Sequence, residues 1–238
     1  MTLKGAVREK LPHQRMKSKG SYLRDSKLLI SSPEKLELRP DMNIYKPMLP
    51  LPTPESFIDP EWVFEVKWGG LRTLAYITDK VSLRSTSGEK LISKFPELRE
   101  LSELASDVVL DGEIIVMKDK IPDFDAVMRR SQASTAEEIL ELSKADPITF
   151  VVFDILERNG ASLIDYSLMD RLEILGVVLK TGENVVQSTI FEENGVNYYD
   201  AVVKQGLDGI IAKRKDSFYM PGSLSPDWLK IVKKVGNA

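Results

Sequence analysis

The spacing of apolar residues predicts a body of mixed strands and helices that begins near residue 46. Apolar runs that alternate with polar residues, or that are dense and β-branched, predict strands, and leucines at helical spacing predict helices. The predicted strands are residues 62–67, 73–78, 80–84, 107–117, 148–156, 185–191, 208–214 and 227–234. The predicted helices are residues 95–105, 124–130, 135–143, 168–179 and 195–205. Because strands and helices do not alternate regularly, the pattern favours an α+β fold of antiparallel sheets flanked by helices.

The first 45 residues lack this periodicity. We expect a basic, flexible arm at residues 1–45, followed by one folded domain at residues 46–238. Residues 1–29 carry eight basic and two acidic side chains, a net charge of +6, which leaves −9 for the remainder of a chain whose total is −3. A basic arm on an acidic body suits an anionic polymer, although a solvated tail would carry the same charges.

The composition excludes several classes of active site. The 238 residues include no cysteine, so disulfides and thiolate metal sites are excluded. The one histidine, His13, lies in the basic arm, which removes Ser-His-Asp and Cys-His catalysis from the body. Any metal would be held by oxygen ligands, which indicates Mg²⁺ or Mn²⁺. No apolar run is long enough to span a membrane, so we expect no membrane partner.

Residues that suit phosphate chemistry follow one another along the body. They are Glu65, Lys67, Arg72, Asp111-Gly112-Glu113, Phe153-Asp154, Asp208, Lys213, Trp228 and Lys230. In this order they resemble the motifs of the nucleotidyltransferase (adenylation) domain of ATP-dependent DNA ligases, most of all the bacterial and archaeal end-joining ligases. Those motifs are Lys-x-Asp-Gly-x-Arg, Asp-Gly-Glu, an aromatic-Asp pair in an apolar strand, Glu-Gly-x-x-x-Lys and Lys-x-Lys. The resemblance covers roughly residues 46–234.

The resemblance implies a ligase nucleotidyltransferase (ATP-grasp-like) fold and an enzyme of DNA repair and recombination. Lys67 would attack the α-phosphate of ATP and keep AMP as a phosphoramidate, which then passes to a DNA 5′-phosphate. The cations Lys213, Lys230 and Arg72 would balance the phosphate charge and favour the neutral, nucleophilic amine.

The resemblance also assigns the remaining site residues. Phe153 would stack on adenine and Glu65 would face its amino edge, although Phe153 taken alone is as readily a core residue. Glu113 and Asp208 would hold Mg²⁺ or Mn²⁺, and in one step Glu113 would contact the ribose instead. If the fold is right, the residues that should line one cleft are Lys67, Glu113, Phe153, Asp208, Lys213 and Lys230.

The expected partner is nicked or broken double-stranded DNA. In the family an OB-fold follows the last motif, whereas this chain ends at Ala238 without one. We therefore expect slow self-adenylation and a dependence on a separate OB-fold or end-joining protein. The expected location is the cytoplasm of a prokaryote.

Four positions depart from the family pattern. Gly69 occupies the position at which the family has aspartate, and Thr86 the position of an arginine. Asp208 replaces a glutamate, and Val232 replaces the second lysine of Lys-x-Lys. Arg84, two residues before Thr86 on the same strand face, could partly replace the arginine. Lys233 is one residue out of phase, so on a regular strand it would point to the other face unless a bulge intervened.

These departures leave two other interpretations open. A degenerate ligase-like protein could bind nucleotide or nicked DNA without full catalysis. An RNA ligase or capping-type transferase shares the Lys-x-x-Gly core, although the flanking words Pro47-Met48-Leu49 and Phe95-Pro96-Glu97-Leu98 favour a DNA ligase.

Overall fold

The computed structural model describes residues 44–233, so nearly all of the predicted basic arm lies outside the described residues, as does Lys234. Tyr45, at the end of that arm, is packed on the folded domain. Its hydroxyl donates to a carboxylate oxygen of Glu157 at 3.0 Å, and its backbone N–H donates to the hydroxyl oxygen of Tyr76 at 3.1 Å. Tyr45 therefore belongs to the packed domain.

The described residues form two sheets with helices around them. The strands are β1 (Leu49–Pro52), β2 (Ile58–Val66), β3 (Leu71–Ile77), β4 (Val81–Ser85), β5 (Val108–Lys118), β6 (Ile121–Pro122), β7 (Ile148–Arg158), β8 (Ala161–Ser162), β9 (Val185–Gln187), β10 (Phe191–Asn194), β11 (Gly209–Arg214) and β12 (Leu224–Val232). The helices are α1 (Leu101–Leu104), α2 (Phe124–Gln132), α3 (Ala136–Ala145), α4 (Leu168–Val178) and α5 (Gly195–Lys204), and a 3-10 helix (Pro96–Glu100) precedes α1.

The strand order explains how residues far apart in sequence meet. The first sheet has the order β1-β12-β11-β2-β10, and the second has the order β4-β3-β5-β7-β8, with β6 paired to β5 and β9 to β7. The central strands β2, β11, β3, β5 and β7 pair antiparallel, as predicted. The pairs β1–β12 and β7–β9 are parallel, so the sheets are mixed rather than purely antiparallel.

Most predicted elements are confirmed, and the differences have local causes. The predicted helix at residues 95–105 is a 3-10 helix and a single α-helical turn, because the buried Leu98 and Leu101 are three residues apart and eclipse in a 3-10 helix. The predicted strand at residues 185–191 is two strands, β9 and β10, which belong to different sheets. The extended, proline-rich stretch after Tyr45 supplies β1, an edge strand, where proline is tolerated.

Helix α3 begins with the capping box that its sequence predicts. The Glu138 backbone N–H donates to the Thr135 hydroxyl at 3.2 Å, and the Thr135 N–H donates to the Glu138 carboxylate at 3.1 Å. Two backbone donors at the start of the helix are thereby satisfied. No helix within residues 44–233 is long and apolar enough to cross a membrane.

A fully buried ion pair joins α4 to β7. Asp154 accepts two hydrogen bonds from Arg171, Nε at 2.7 Å and Nη2 at 2.9 Å, and both side chains are 0% exposed. Arg171 also donates to the backbone oxygens of Tyr166 at 2.7 Å and Ser217 at 3.0 Å. The aspartate of the predicted aromatic-Asp pair therefore anchors a helix behind the sheet.

Arg171→Met should destabilise the protein by about 3–5 kcal/mol, because the Asp154 carboxylate would be left buried without its partner. Urea unfolding followed by circular dichroism measures this difference. Arg214→Met is the matched control, since Arg214 pairs with Asp216 at an exposed site and should contribute no more than about 1 kcal/mol. Equal effects of the two substitutions would contradict the prediction.

Candidate active site

A cavity of about 270 Å³ is lined by strands of both sheets. The seven residues predicted as nucleophile or nucleotide ligands all line it: Glu65, Lys67, Arg72, Glu113, Phe153, Lys213 and Lys230. Asp208, predicted as a metal ligand, lines a smaller adjoining pocket together with Lys67 and Gly69. The structure therefore brings together residues that are up to 165 positions apart in the sequence.

Lys67 follows the last residue of β2 and lies beside the start of β11. Its backbone N–H donates to the Gly209 oxygen at 2.9 Å, and its Nζ is 3.3 Å from an Asp208 oxygen. The other Asp208 oxygen is 3.6 Å from the Nζ of Lys233. One carboxylate therefore faces two lysines.

Lys233 reaches this carboxylate without a bulge. Strand β12 ends at Val232, so the alternation of faces that would direct Lys233 away no longer applies. The Lys233 backbone N–H donates to the backbone oxygen of Asp208 at 2.9 Å, and this hydrogen bond holds Lys233 beside the site. Lys233 was predicted to lie on the wrong face of a regular strand. It reaches the site because the strand ends one residue before it.

The glycine turn after Lys67 fixes Glu113. The Gly70 N–H donates to a Glu113 carboxylate oxygen at 2.8 Å. A Cβ at Gly70 would lie 2.2 Å from the Ile114 backbone oxygen, so only glycine fits at this close approach of backbones. A Cβ at Gly69 would have its nearest neighbours, Asp208 Oδ2 and Pro122 Cβ, at 3.8 Å, which is ordinary contact.

Burial raises the pKa of Glu113 above its ordinary value. The positive charges of Arg72 and Lys67 and the hydrogen bond from Gly70 act in the opposite direction but do not cancel this rise. The nearby Asp111 carboxylate raises the pKa further. The ionised form of Glu113 is therefore costly in the folded protein and is well suited to a cationic ligand.

Glu65 and Lys213 form a second buried ion pair on the cavity wall. Their side chains are each 2% exposed, and Lys213 Nζ lies 2.9 Å from Glu65 Oε1. The other Glu65 oxygen accepts from the Ser188 hydroxyl at 2.9 Å. Lys213 Nζ also lies 4.5 Å from the centroid of the Phe153 ring and 4.4 Å from that of the Trp228 ring.

Arg72 is held by a carboxylate of the motif Asp111-Gly112-Glu113. Asp111 accepts from Arg72 Nε at 2.6 Å and Nη2 at 2.7 Å, and it also accepts from the Tyr219 hydroxyl at 2.6 Å. Burial alone would lower the pKa of Arg72, but the attraction of Asp111 raises it above its ordinary value. The Arg72 guanidinium lies 4.5 Å from the Phe153 ring centroid, so it borders the aromatic wall of the cavity.

Lys230 differs from the other cations of the cavity. It lies on β12, where it pairs in register with Ile211, and it is partly buried. Within residues 44–233, no carboxylate lies within 4.0 Å of its Nζ, whereas Lys67, Arg72 and Lys213 each have one. Lys230 thus supplies positive charge that is not already neutralised by a protein carboxylate.

Several contacts around the cavity were not predicted from the sequence. Ser188, Asp111 and Tyr219 position the cavity residues although none of them lines the cavity, and Trp68 lines it unpredicted. Thr86 and its proposed substitute Arg84 are not among the lining residues, and Arg84 donates to the Gly88 oxygen at 3.2 Å. The position of Trp68 directly after Lys67 was the one available signal for its place in the site.

The carboxylates do not form a metal site by themselves. Among the described residues, no group of three or more Asp, Glu or His side chains is close enough to hold a metal ion. Glu113 borders the cavity and Asp208 the adjoining pocket, so they offer a cation at most a partial set of ligands. The oxygens of a bound phosphate compound would have to complete any such set.

Comparison with known proteins identifies the family. Residues 47–232 match the family described as ATP dependent DNA ligase domain. The chain belongs to this family. The resemblance and the α+β ligase nucleotidyltransferase fold predicted from the motifs are both confirmed.

Individual relatives of this ligase domain agree with the assignment. It is 31% identical over 188 residues to the SPbeta prophage-derived DNA ligase-like protein LigB of Bacillus subtilis, an overlap that covers 78% of this chain and 66% of LigB. It is 32% identical over 174 residues to the multifunctional non-homologous end joining DNA repair protein LigD of Mycobacterium tuberculosis, covering 71% of this chain and 21% of LigD.

A solved structure has the same fold. Mycobacterial DNA ligase D complexed with ATP and MES superposes with a TM-score of 0.66 at 30% identity, covering 79% of this chain and 60% of that chain. The chain thus spans about two thirds of LigB, one fifth of LigD and three fifths of the solved ligase D chain.

Gly70→Ala should destabilise the ligase domain by about 1–3 kcal/mol or more, because the new methyl group would overlap the Ile114 oxygen. Gly69→Ala is the matched control and should change the free energy of unfolding by less than about 1 kcal/mol. Chemical denaturation of the three proteins makes the comparison. A Gly70→Ala protein as stable as the parent would show that the turn relaxes freely.

Glu113→Gln should be more stable than the parent at neutral pH, and the difference should vanish in acid. In the unfolded chain Glu113 ionises near its ordinary pKa of 4.5, whereas in the folded protein its pKa is higher. The parent therefore loses stability as the pH rises above 4.5, because ionisation favours the unfolded chain. Glutamine keeps an oxygen that can accept from the Gly70 N–H. Denaturation of both proteins across the pH range measures the difference, and a parent that gained stability over the variant with rising pH would contradict the prediction.

Proposed function

We propose that this chain is the catalytic adenylation domain of an ATP-dependent DNA ligase. It forms a lysyl-AMP at Lys67 and uses it to seal DNA breaks in repair and recombination. The observation that carries the proposal is the convergence of Lys67, Glu113, Phe153 and Lys213 on one cavity in a ligase-family fold. The description of the mycobacterial relative as an end-joining repair protein supports the assignment to repair.

The cavity suits an adenosine group with phosphates. Phe153 offers an aromatic ring for stacking, and Glu65 offers carboxylate oxygens that can accept from the adenine amino group. Lys213 and Lys230 bring positive charge to the same cavity for the phosphates. The relative complexed with ATP supports the same choice of nucleotide.

The reaction forms one bond and breaks another at the α-phosphorus. Lys67 first releases its ammonium proton to solvent, and the neutral amine donates its electron pair to phosphorus. The bond to the pyrophosphate oxygen breaks, a second N–H proton is released, and AMP stays on the lysine as a phosphoramidate. The ion pair between Lys67 and Asp208 must open for this attack. Lys233 then remains as a partner for Asp208, so the carboxylate is not left without a cation. The AMP passes to a DNA 5′-phosphate and a neighbouring 3′-hydroxyl displaces it.

Glu113 and Asp208 are the proposed ligands of Mg²⁺ or Mn²⁺. Since they offer only a partial ligand set, the ion would enter with the nucleotide and be held in part by its phosphate oxygens. When bound, such an ion neutralises phosphate charge. Nicked or broken double-stranded DNA is the proposed substrate, and an OB-fold or end-joining protein is a proposed partner.

A binding-only function is the second candidate. Gly69 lacks the carboxylate that the family places in the nucleophile motif, and Lys67 is already paired with Asp208. The B. subtilis relative carries the description DNA ligase-like, which is compatible with this alternative. Such a protein would bind nucleotide or nicked DNA without forming the phosphoramidate.

Incubation with α-labelled ATP and Mg²⁺ should transfer label to the parent protein but not to Lys67→Ala, because only the Lys67 amine can form the phosphoramidate. The label should survive denaturing electrophoresis. Lys80→Ala is the matched control, since Lys80 is an exposed lysine in the turn after β3 and should label like the parent.

A second assay separates the two candidates if the parent does not label. Nicked DNA that already carries a 5′-adenylate bypasses the attack by Lys67, so sealing of this substrate indicates a working ligase site. Failure of both assays favours the binding-only function. Sealing of nicked RNA but not nicked DNA would instead indicate an RNA ligase.

A further inference from the structure

The carboxylate of Asp208 lies between two lysine amines at the edge of the site. Lys67 Nζ is 3.3 Å from one carboxylate oxygen, and Lys233 Nζ is 3.6 Å from the other. Within residues 44–233, neither amine has another carboxylate within 4.0 Å. Two positive charges therefore share one negative charge, which leaves an excess of positive charge beside the proposed nucleophile.

All three of these side chains are accessible from solvent, and so to a ligand. The exposed fractions are 28% for Lys67, 52% for Asp208 and 49% for Lys233. An ion pair at such an exposed place contributes little stability, because water and salt compete with it. A ligand that carries an anionic group can therefore replace Asp208 as the partner of Lys67 at little cost.

Backbone hydrogen bonds keep the two lysines together whether or not the carboxylate stays between them. The Lys67 N–H donates to the Gly209 oxygen at 2.9 Å, and the Lys233 N–H donates to the backbone oxygen of Asp208 at 2.9 Å. The two lysines are thus attached to consecutive residues of the chain. When the Asp208 side chain turns away from Lys67, both lysine backbones remain beside the space that it leaves.

A phosphate group suits this space. Like a carboxylate, it carries several anionic oxygens on one central atom, so it can accept from two amines at once. A lysine ammonium has three donors, so Lys233 can contact a phosphate oxygen and still keep Asp208 as a partner.

We propose that Lys233 binds the phosphate group of the nucleotide that faces Lys67. The Lys-x-Lys pattern of the family would place its second lysine at Val232, so that pattern assigns no role to Lys233. Lys233 comes to the site instead through the end of β12 and its contacts with Asp208. This inference rests on the proposed nucleotide-dependent function and adds a phosphate ligand to it.

The test measures equilibrium binding rather than catalysis. The probe is α,β-methylene-ATP, in which the link between the α- and β-phosphorus resists cleavage, so that no lysyl-AMP forms. Calorimetric titration of the full chain is done with EDTA, so that the cation proposed at Asp208 takes no part. Lys233→Met removes the amine and keeps the backbone N–H. It should bind the probe about 3- to 10-fold more weakly, because one charged contact at a partly exposed place is lost.

Lys118→Met is the matched control. The Lys118 side chain is 47% exposed and is paired with Asp123 and Asp146, but it lines neither the cavity nor the adjoining pocket. Lys118→Met should bind the probe within about twofold of the parent. Adenosine is the control ligand, since it has no phosphate, and Lys233→Met should leave its affinity unchanged.

The substitution Asp208→Asn separates a direct contact from an effect that passes through Asp208. In this background Lys233→Met should still weaken binding of the probe, because a phosphate contact does not require the carboxylate. An effect that disappears in this background would show that Lys233 acts only by holding Asp208. An equal loss of affinity for adenosine would show that Lys233 only maintains the shape of the site. Either result overturns the inference.

The remaining outcomes distinguish this inference from the proposed function. Parent-like affinity of Lys233→Met, in a parent that binds the probe and labels with ATP and Mg²⁺, overturns the inference and leaves the function intact. A parent that labels but binds no probe in EDTA also overturns the inference alone, because phosphate binding would then depend on the cation. A parent that neither labels nor binds the probe overturns both.

Discussion

Charge pairing within each sheet is the constraint on which the candidate site depends. A cation removed from water is costly unless an acceptor faces it. Glu65 on β2 neutralises Lys213 on the adjacent strand β11, and Asp111 on β5 neutralises Arg72 on the adjacent strand β3. Each sheet therefore balances its own buried charge. The cavity between the balanced walls can be rich in cations without carrying a large excess of positive charge.

Aromatic rings then connect the two walls. Phe153 belongs to the second sheet but faces Lys213 of the first, and Trp228 belongs to the first but lies 5.9 Å from Arg72 of the second. A cation that already has a carboxylate on its own sheet can still be attracted by the face of a ring on the other. These contacts hold the cations and rings in fixed relative positions, which reduces the ordering that binding of any ligand requires.

The sequence was sufficient to predict the strands that carry the site and to select seven of the residues that line the cavity. Ordered motifs identified Lys67, Glu113 and Lys213, because a family signature reflects the requirements of the chemistry. What the sequence could not supply was the partner of each side chain. Tyr219 reaches Asp111 across 108 positions, and that contact depends on how the two sheets meet rather than on any local pattern.

The shared carboxylate Asp208 links Lys67, the proposed nucleophile, to the end of β12. Lys233 contacts Asp208 through its side chain and through a backbone hydrogen bond of 2.9 Å, while Lys67 contacts the other carboxylate oxygen. A shift of the backbone at Lys233 would therefore move the carboxylate that contacts the Lys67 amine. A displacement at the end of β12 would thereby be transmitted through Asp208 to the position of the Lys67 amine.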